Sequence, residues 1–313
     1  MAFGGMPPGL GATGLSVNTV LTNPSTRPGL RLPGRVVLTA GSADVPVEQV
    51  VLGLVTQVEP DDLAAGRVLM EFHRVTVAGP FVVPAGQRRA VAFALAMPWE
   101  TPITVINGLR PLTLRMGLRT EVGVDPMFDQ GGMLPVYVHP LPAQERIFSA
   151  LAALEFRLRQ AGLQSGRLPG VAQTLPFHQK IGFWAPPLYA GPFSELEVTL
   201  LTNRYGVEAI FGLDRRAAMA GAGHYSLSRF LVRHTSASGG DDWVNLIDGW
   251  LRQAINRHAY AASGYRNPTP IVESAHVTHP PEDPQESHSA KAAEQGTAGG
   301  GAGIGGGGGG DGT

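Results

Sequence analysis

From Leu112 to Val124 every second residue belongs to one set: Leu112, Leu114, Met116, Leu118, Thr120, Val122 and Val124. Thr113, Arg115, Arg119 and Glu121 fall between them. A helix would scatter this pattern around its surface, whereas a pleated strand gathers each set on one face. The segment is therefore expected to be a strand with one face on a core and the other toward water. Val47 to Val58 reads the same way, with Val50, Leu52, Leu54 and Val58 on one face. Pro46 and Pro60 stand just outside that run, where a missing backbone donor is harmless. Further strands are expected at Val17 to Thr22, Arg35 to Thr39, Val68 to Val77 and Ala90 to Leu95. Pro28-Gly29, Pro33-Gly34 and Pro84-Ala85-Gly86 supply turn chemistry between them. Short strands with turn signals every ten or so residues predict an all-β sandwich.

The prolines of Pro135 to Pro142 push their predecessors out of helical geometry, so this stretch reads as an extended connector and the domain boundary. Ile147, Leu151, Leu154 and Leu158 then recur at helical spacing, which predicts a helix over Gln144 to Gln160, stopped by Gly162 and packed on a sheet. Alternation returns in Glu195 to Thr202, in Val207 to Leu213 and in Tyr225 to His234, indicating a second sandwich. Asp241 and Asp242 are placed to cap a last helix, Trp243 to Arg257, with an apolar stripe of Ile247, Trp250, Leu251 and Ala254. The expected fold is mainly β: two tandem β-sandwiches with one or two short helices and a disordered C-terminal tail. Its expected parts are a flexible N-terminal arm (1–13), sandwiches over 14–135 and 136–240, a C-terminal helix (241–260) and a glycine-rich tail (261–313) that cannot bury enough apolar surface to order itself. At 313 residues each domain can form its own core.

The formal net charge is -1, so no basic footprint points to nucleic acid. The chain has no cysteine, which removes disulfides, thiol nucleophiles and thiolate metal sites. No run reaches the roughly 18 apolar residues of a membrane span, and Met1 to Thr13 does not read as a secretory signal. Proline follows Asn23 and Asn267, which spoils both apparent glycosylation sequons. A cytoplasmic location is expected.

Gly9, Gly11 and Gly14 match a dinucleotide-binding spacing, but prolines precede them and a strand follows, where that motif needs a strand and then a helix. His224 and His234 are ten residues apart on what reads as one strand, about 33 Å at the usual rise, too far to share a metal. His276, His279 and His288 belong to the tail, where weak metal binding is weighed against a plain disordered segment. No nucleophile elbow, phosphate loop or calcium loop occurs. The expected protein is not an enzyme and carries no cofactor or metal.

Three groups are candidates for an interface with a protein partner. Asp214, Arg215 and Arg216 close one strand as a charged cluster, against the simpler reading of a solvated strand end. Arg119 and Glu121, with Arg115, lie on the polar face of the 112–124 strand. Trp250 and Leu251, if exposed, favour self-association into a homo-oligomer. Phe177, Phe183, Trp184 and Tyr189 are raw material for a ligand groove, or else core and inter-domain packing.

Val17-Asn-Thr-Val-Leu-Thr-Asn-Pro, Leu32-Pro-Gly-Arg-Val-Val-Leu-Thr, Val47-Glu-Gln-Val-Val-Leu-Gly-Leu, Gly79-Pro-Phe-Val-Val-Pro-Ala-Gly-Gln and Pro98-Trp-Glu-Thr-Pro resemble the bacterial sporulation-control protein family, of the arrestin-like group. Gln173-Thr-Leu-Pro-Phe, Ser194-Glu-Leu-Glu-Val-Thr-Leu and Leu213-Asp-Arg-Arg extend the likeness over roughly residues 14 to 235. The resemblance implies tandem arrestin-like sandwiches and a non-catalytic regulator of sporulation or cell division that acts through protein partners. It supplies no catalytic residues. The helix at Trp243 and the tail depart from the family core. A small-ligand or carbohydrate-binding sandwich protein is the alternative.

Overall fold

The computed structural model describes residues 14–60, 66–124, 127–130, 133–191, 193–214, 225–239, 242–262 and 272–273. In the first half the chain forms β1 (Leu15–Leu21), β2 (Ser25–Thr26), β3 (Arg31–Ala40), β4 (Val45–Val47), β5 (Gln49–Val58), β6 (Val68–Ala78), β7 (Phe81–Val83), β8 (Arg88–Ala96), β9 (Met116–Val124), β10 (Met127–Gln130), β11 (Leu134–Pro135) and β12 (Tyr137–Val138). One sheet has the order β1-β3-β8 and the other β10-β9-β5-β6, with β11 also on β9. Small pairs β4-β7 and β12-β2 complete it. The two larger sheets share one core, to which Leu15, Leu32, Val36 and Leu38 come from one and Leu52, Leu54, Leu118 and Val122 from the other. The hydroxyls of Thr19 and Thr120 meet at 2.7 Å, so the polar groups that alternation sends inward satisfy each other.

Two local expectations fail here for identifiable reasons. Pro33-Gly34 lies inside β3 and is not a turn. A Cβ on Gly34 would stand 2.5 Å from the Phe93 ring and 2.7 Å from the Val20 carbonyl, so this glycine serves close packing. The 112–124 strand begins only at Met116. Leu112 is 80% exposed, while Leu114 is buried against the core of the second half.

The second half contains α1 (Pro142–Ala153), β13 (Arg157–Ser165), β14 (Phe177–Trp184), β15 (Glu195–Thr202), β16 (Gly206–Asp214), β17 (Tyr225–Arg233), α2 (Trp243–Ala262) and β18 (Val272–Glu273). Its strands form one sheet in the order β13-β14-β15-β16-β17-β18. Ile181, Phe183, Leu196, Val198, Phe211 and Phe230 on this sheet share a core with Ile147, Phe148 and Leu151 of α1 and Trp243, Ile247, Trp250, Leu251 and Ala254 of α2. Where the sequence predicts a second sandwich, the described residues place two helices over the sheet. The stripe read on α2 is thus the cover of a core. Asp242 caps α2 as expected, its Oδ1 accepting the Asn245 N–H at 3.1 Å, while Asp241 lies outside the described residues.

The first helix is shorter than its sequence suggests, because residues 157–165 form β13. Glu155 adopts φ 67°, a left-handed conformation that stops α1 without a glycine. A register shift between Leu158 and Gln160 then resets the alternation, so the inward residues are Leu158, Ala161 and Leu163. A step of three in place of two mimics a helical period. Pro142 occupies the first turn of α1, and Gln144 accepts the Leu141 N–H and donates to Thr202 Oγ1, tying the helix start to β15.

The expected connector, 135–142, is woven into the first half: β11 pairs with β9, β12 runs parallel to β2, and Val136 and Val138 are core. Conversely Val58, Ile103, Ile106 and Leu114 enter the second core. The Gln179 amide donates to the Ile103 carbonyl at 2.7 Å and accepts its N–H at 2.9 Å. Glu100 accepts the N–H groups of Thr174 and Leu175. Phe72 meets Phe177 edge-on at 5.6 Å.

Candidate interaction surfaces

Arg119 and Glu121 point from β9 to the outer face of the first half, where β5 offers Gly53 between Arg119 on β9 and Arg74 on β6. Because Gly53 has no side chain, four charges close into a ring over it. Arg119 lies 2.6 Å from Glu71 and 3.1 Å from Glu121, and Arg74 lies 3.1 Å from Glu71 and 2.5 Å from Glu121. Burial alone raises the Glu71 pKa, but the hydrogen bonds and charges of Arg119 and Arg74 outweigh it and hold the carboxyl below its usual range. These residues do not simply face solvent. A Cβ on Gly53 would sit 2.3 Å from Glu71 Oε2, at the tip of a flexible side chain. Gly53→Ala is therefore expected to open the ring at a cost on the order of 1 kcal/mol, a Tm loss of about 2–4 °C, and to make thermal stability less sensitive to added salt. Melting curves at low and high salt check this.

On the outer face of the second sheet lies a groove of about 380 Å³. Gly182 on β14 and Gly212 on β16 stand opposite Glu197 on β15, which leaves the sheet surface bare on both sides of that residue. Three cations and three carboxylates line it as pairs: Arg67 with Glu59 at 2.7 Å, Arg159 with Glu195 at 2.9 Å, and Lys180 with Glu197 at 3.0 Å. Among the described residues its charge is balanced, and each carboxylate has a cation beside it.

Of the other candidates, Asp214 ends β16, and Arg215 and Arg216 lie outside the described residues. Trp250 and Leu251 are 2% and 0% exposed, which removes them from any outer surface. Trp250 stacks on Phe230 at 4.8 Å and meets Phe211 edge-on at 6.0 Å. Phe177, Phe183 and Tyr189 are buried core, so the four aromatics form no ligand groove; only Trp184 is exposed, with the Arg159 guanidinium over its ring. His234 hydrogen-bonds the Asn203 carbonyl and stacks on Trp99, while His224, His276, His279 and His288 lie outside the described residues. Gly9 and Gly11 do too.

The Tyr189 hydroxyl donates to Asp248 of α2, which also accepts from Arg252. Burial, helped by the bond to Asp248, pushes the Tyr189 phenol up to about 12. Its folded pKa is raised above the ordinary value of 10.0, so its contribution is full below pH 10 and is lost as the pH climbs toward 12. Tyr189→Phe is expected to flatten the fall in stability over that window, as read by denaturant midpoints from pH 9 to 12.

The turn at Asn107-Gly108, between β8 and β9, is not among the turns expected from the sequence. Ile106 and Leu109 exchange backbone hydrogen bonds of 2.9 and 2.8 Å around Asn107 and Gly108, whose φ values are 48° and 75°. Positive φ at both central residues marks a tight turn of the hairpin kind, and the Asn-Gly pair is its sequence signal. A second turn follows, closed by the Leu114 N–H on the Pro111 carbonyl at 3.0 Å. Beside it a groove of about 470 Å³ is lined by Arg110, Leu112, Leu114, Arg115, Met116 and Val136 among others.

A family model described as SpoOM protein matches residues 5–217. The sporulation-control protein spo0M of Bacillus subtilis (strain 168) is 28% identical over 211 residues, covering 67% of this chain and 78% of the relative. The crystal structure of Spo0M, sporulation control protein, from Bacillus subtilis aligns with a TM-score of 0.65 at 23% identity, over 77% of this chain and 99% of that one.

Proposed function

This chain belongs to the SpoOM protein family, and from that premise we propose that it is a non-catalytic regulatory adaptor in sporulation or cell-division control, acting through protein partners in the cytoplasm. The observation that carries the reading is the family match over residues 5–217, which spans most of both halves. The site geometry fits it. Strand β8 is a sheet edge that pairs only with β3 among the described residues, and such an edge accepts an added strand from a partner. No described helix is long and apolar enough to cross a membrane.

Deletion of the gene in its native cells tests the role. The expected result is a shift in the timing or yield of spores, or in division-site placement where the organism forms no spores, restored by the intact gene. Unaltered sporulation and division would sink the proposal.

A further inference from the structure

We propose that the open edge of β8 binds an extended segment of a partner protein that carries carboxylates at alternate positions, with Arg31, Arg35 and Arg88 receiving them. The proposal rests on the adaptor reading and names the partner's chemistry. The Met97 N–H bonds the Leu30 carbonyl at 2.8 Å and the Ala40 N–H bonds the Gln87 carbonyl at 3.0 Å, which fixes the phase of the ladder between β3 and β8. Odd-numbered residues of β8 thus turn their backbone groups toward β3, and Ala90, Ala92, Ala94 and Ala96 turn theirs to the open edge. Native edges are usually blunted by bulges, prolines or short length. On the facing sheet, edge strand β6 carries register shifts and edge strand β10 has four residues. Strand β8 runs nine residues along β3 with neither bulge nor proline.

The face beside this edge fixes the occupant. Arg31 and Arg35 on β3 and Arg88 on β8 are exposed on the outer side of the sheet, and every other outward position of β1, β3 and β8 is uncharged. Among the described residues no carboxylate pairs with these arginines. Arg31 already leans across β8, its Nη1 donating to the edge-facing Ala94 carbonyl at 3.3 Å. The other sheet of the first half shows how charges meet in this arrangement. Strands β9 and β6 are two strands apart, about 10 Å. Arg119 still reaches Glu71 at 2.6 Å, because Gly53 on the strand between has no side chain. A strand added to β8 stands in the same relation to β3, with only alanine methyl groups between. Its carboxylates meet Arg31 and Arg35 over β8 and Arg88 beside it, while main-chain hydrogen bonds along the edge supply affinity. A lipid surface offers the edge no such ladder.

A fluorescein-labelled decapeptide of alternating Glu and Val, titrated with the full chain at low salt and read by fluorescence anisotropy, tests this against the Lys and Val counterpart. The acidic peptide is expected to bind and the basic one not, and hydrogen exchange at Ala90, Ala92 and Ala94 is expected to slow when the acidic peptide is present. Arg35→Glu reverses a charge on the face, and Ala92→Pro removes a backbone donor that points only to the open edge. Each is expected to weaken binding about tenfold or more while the chain stays folded by circular dichroism. Absence of binding, equal binding of the two peptides, undiminished binding by Arg35→Glu, or binding without protection of β8 overturns the proposal. So does binding to phosphatidylglycerol vesicles but not to the acidic peptide. Affinity capture from native cells separates this from the broader reading. If Arg35→Glu and Ala92→Pro both retain every partner of the wild type, the edge is not the site and the adaptor stands; if the wild type captures none, the adaptor reading falls and the proposal with it.

Discussion

Trp250→Ala is expected to remove about 3–5 kcal/mol of stability, a large part of what a domain of this kind has. Trp250 is 2% exposed, lies parallel to Phe230 within 6° and meets Phe211 edge-on. Its truncation leaves a cavity between α2 and the centre of the six-stranded sheet. The strands around it, β16 and β17, cannot shift inward without breaking their nine-residue register. Trp250→Phe keeps most of the volume and should lose much less. Urea unfolding followed by circular dichroism measures both. A loss under about 1 kcal/mol for the alanine variant would mean that α2 does not cover the sheet as described.

Gln173→Ala should cost about 2–3 kcal/mol, through hydrogen bonding and not packing. The Gln173 side chain is 5% exposed and organises the loop between β13 and β14. Its amide nitrogen donates to the carbonyls of Gly166, Leu175 and Phe177, and its oxygen accepts the Leu168 N–H at 3.1 Å. Alanine leaves those groups without their partner in a confined place. Gln173→Glu should be no better, since it sets a carboxylate against three carbonyl oxygens. Hydrogen exchange of residues 166–177 should accelerate in both variants while β15 and β16 stay protected. Unchanged exchange in that loop would show that water replaces the side chain at little cost.

The parts of the fold that could be read from sequence are those where one physical period runs undisturbed. Leu52 and Leu54, Leu118 and Val122, and Val207, Ala209, Phe211 and Leu213 alternate as read and are buried as read. Residues 157–165 escaped because a bulge converts a step of two into a step of three, and Leu154 and Leu158 then complete a false helical stripe. Ile247, Trp250, Leu251 and Ala254 were legible as a stripe, but a stripe does not say whether its cover is a sheet of the same chain or a second copy. Leu112 and Leu114 continue the β9 alternation by coincidence, since a reverse turn precedes that strand. In the charge ring, Arg119 and Glu121 were visible as a polar face. Their partners Glu71 and Arg74 lie 48 and 47 residues away along the chain, on a strand whose register shifts hide which face each residue takes. Cross-strand pairing of this kind depends on topology, which local patterning does not carry.

Affinity purification of the tagged full-length protein from its native cells at native abundance, with mass spectrometry of what comes down, tests whether the protein works through protein contacts. One or more protein partners are expected to recur between replicates, to exceed a tag-only control and to be competed away by excess untagged protein. Recovery of the tagged chain alone under cross-linking conditions would contradict an adaptor that works through protein contacts.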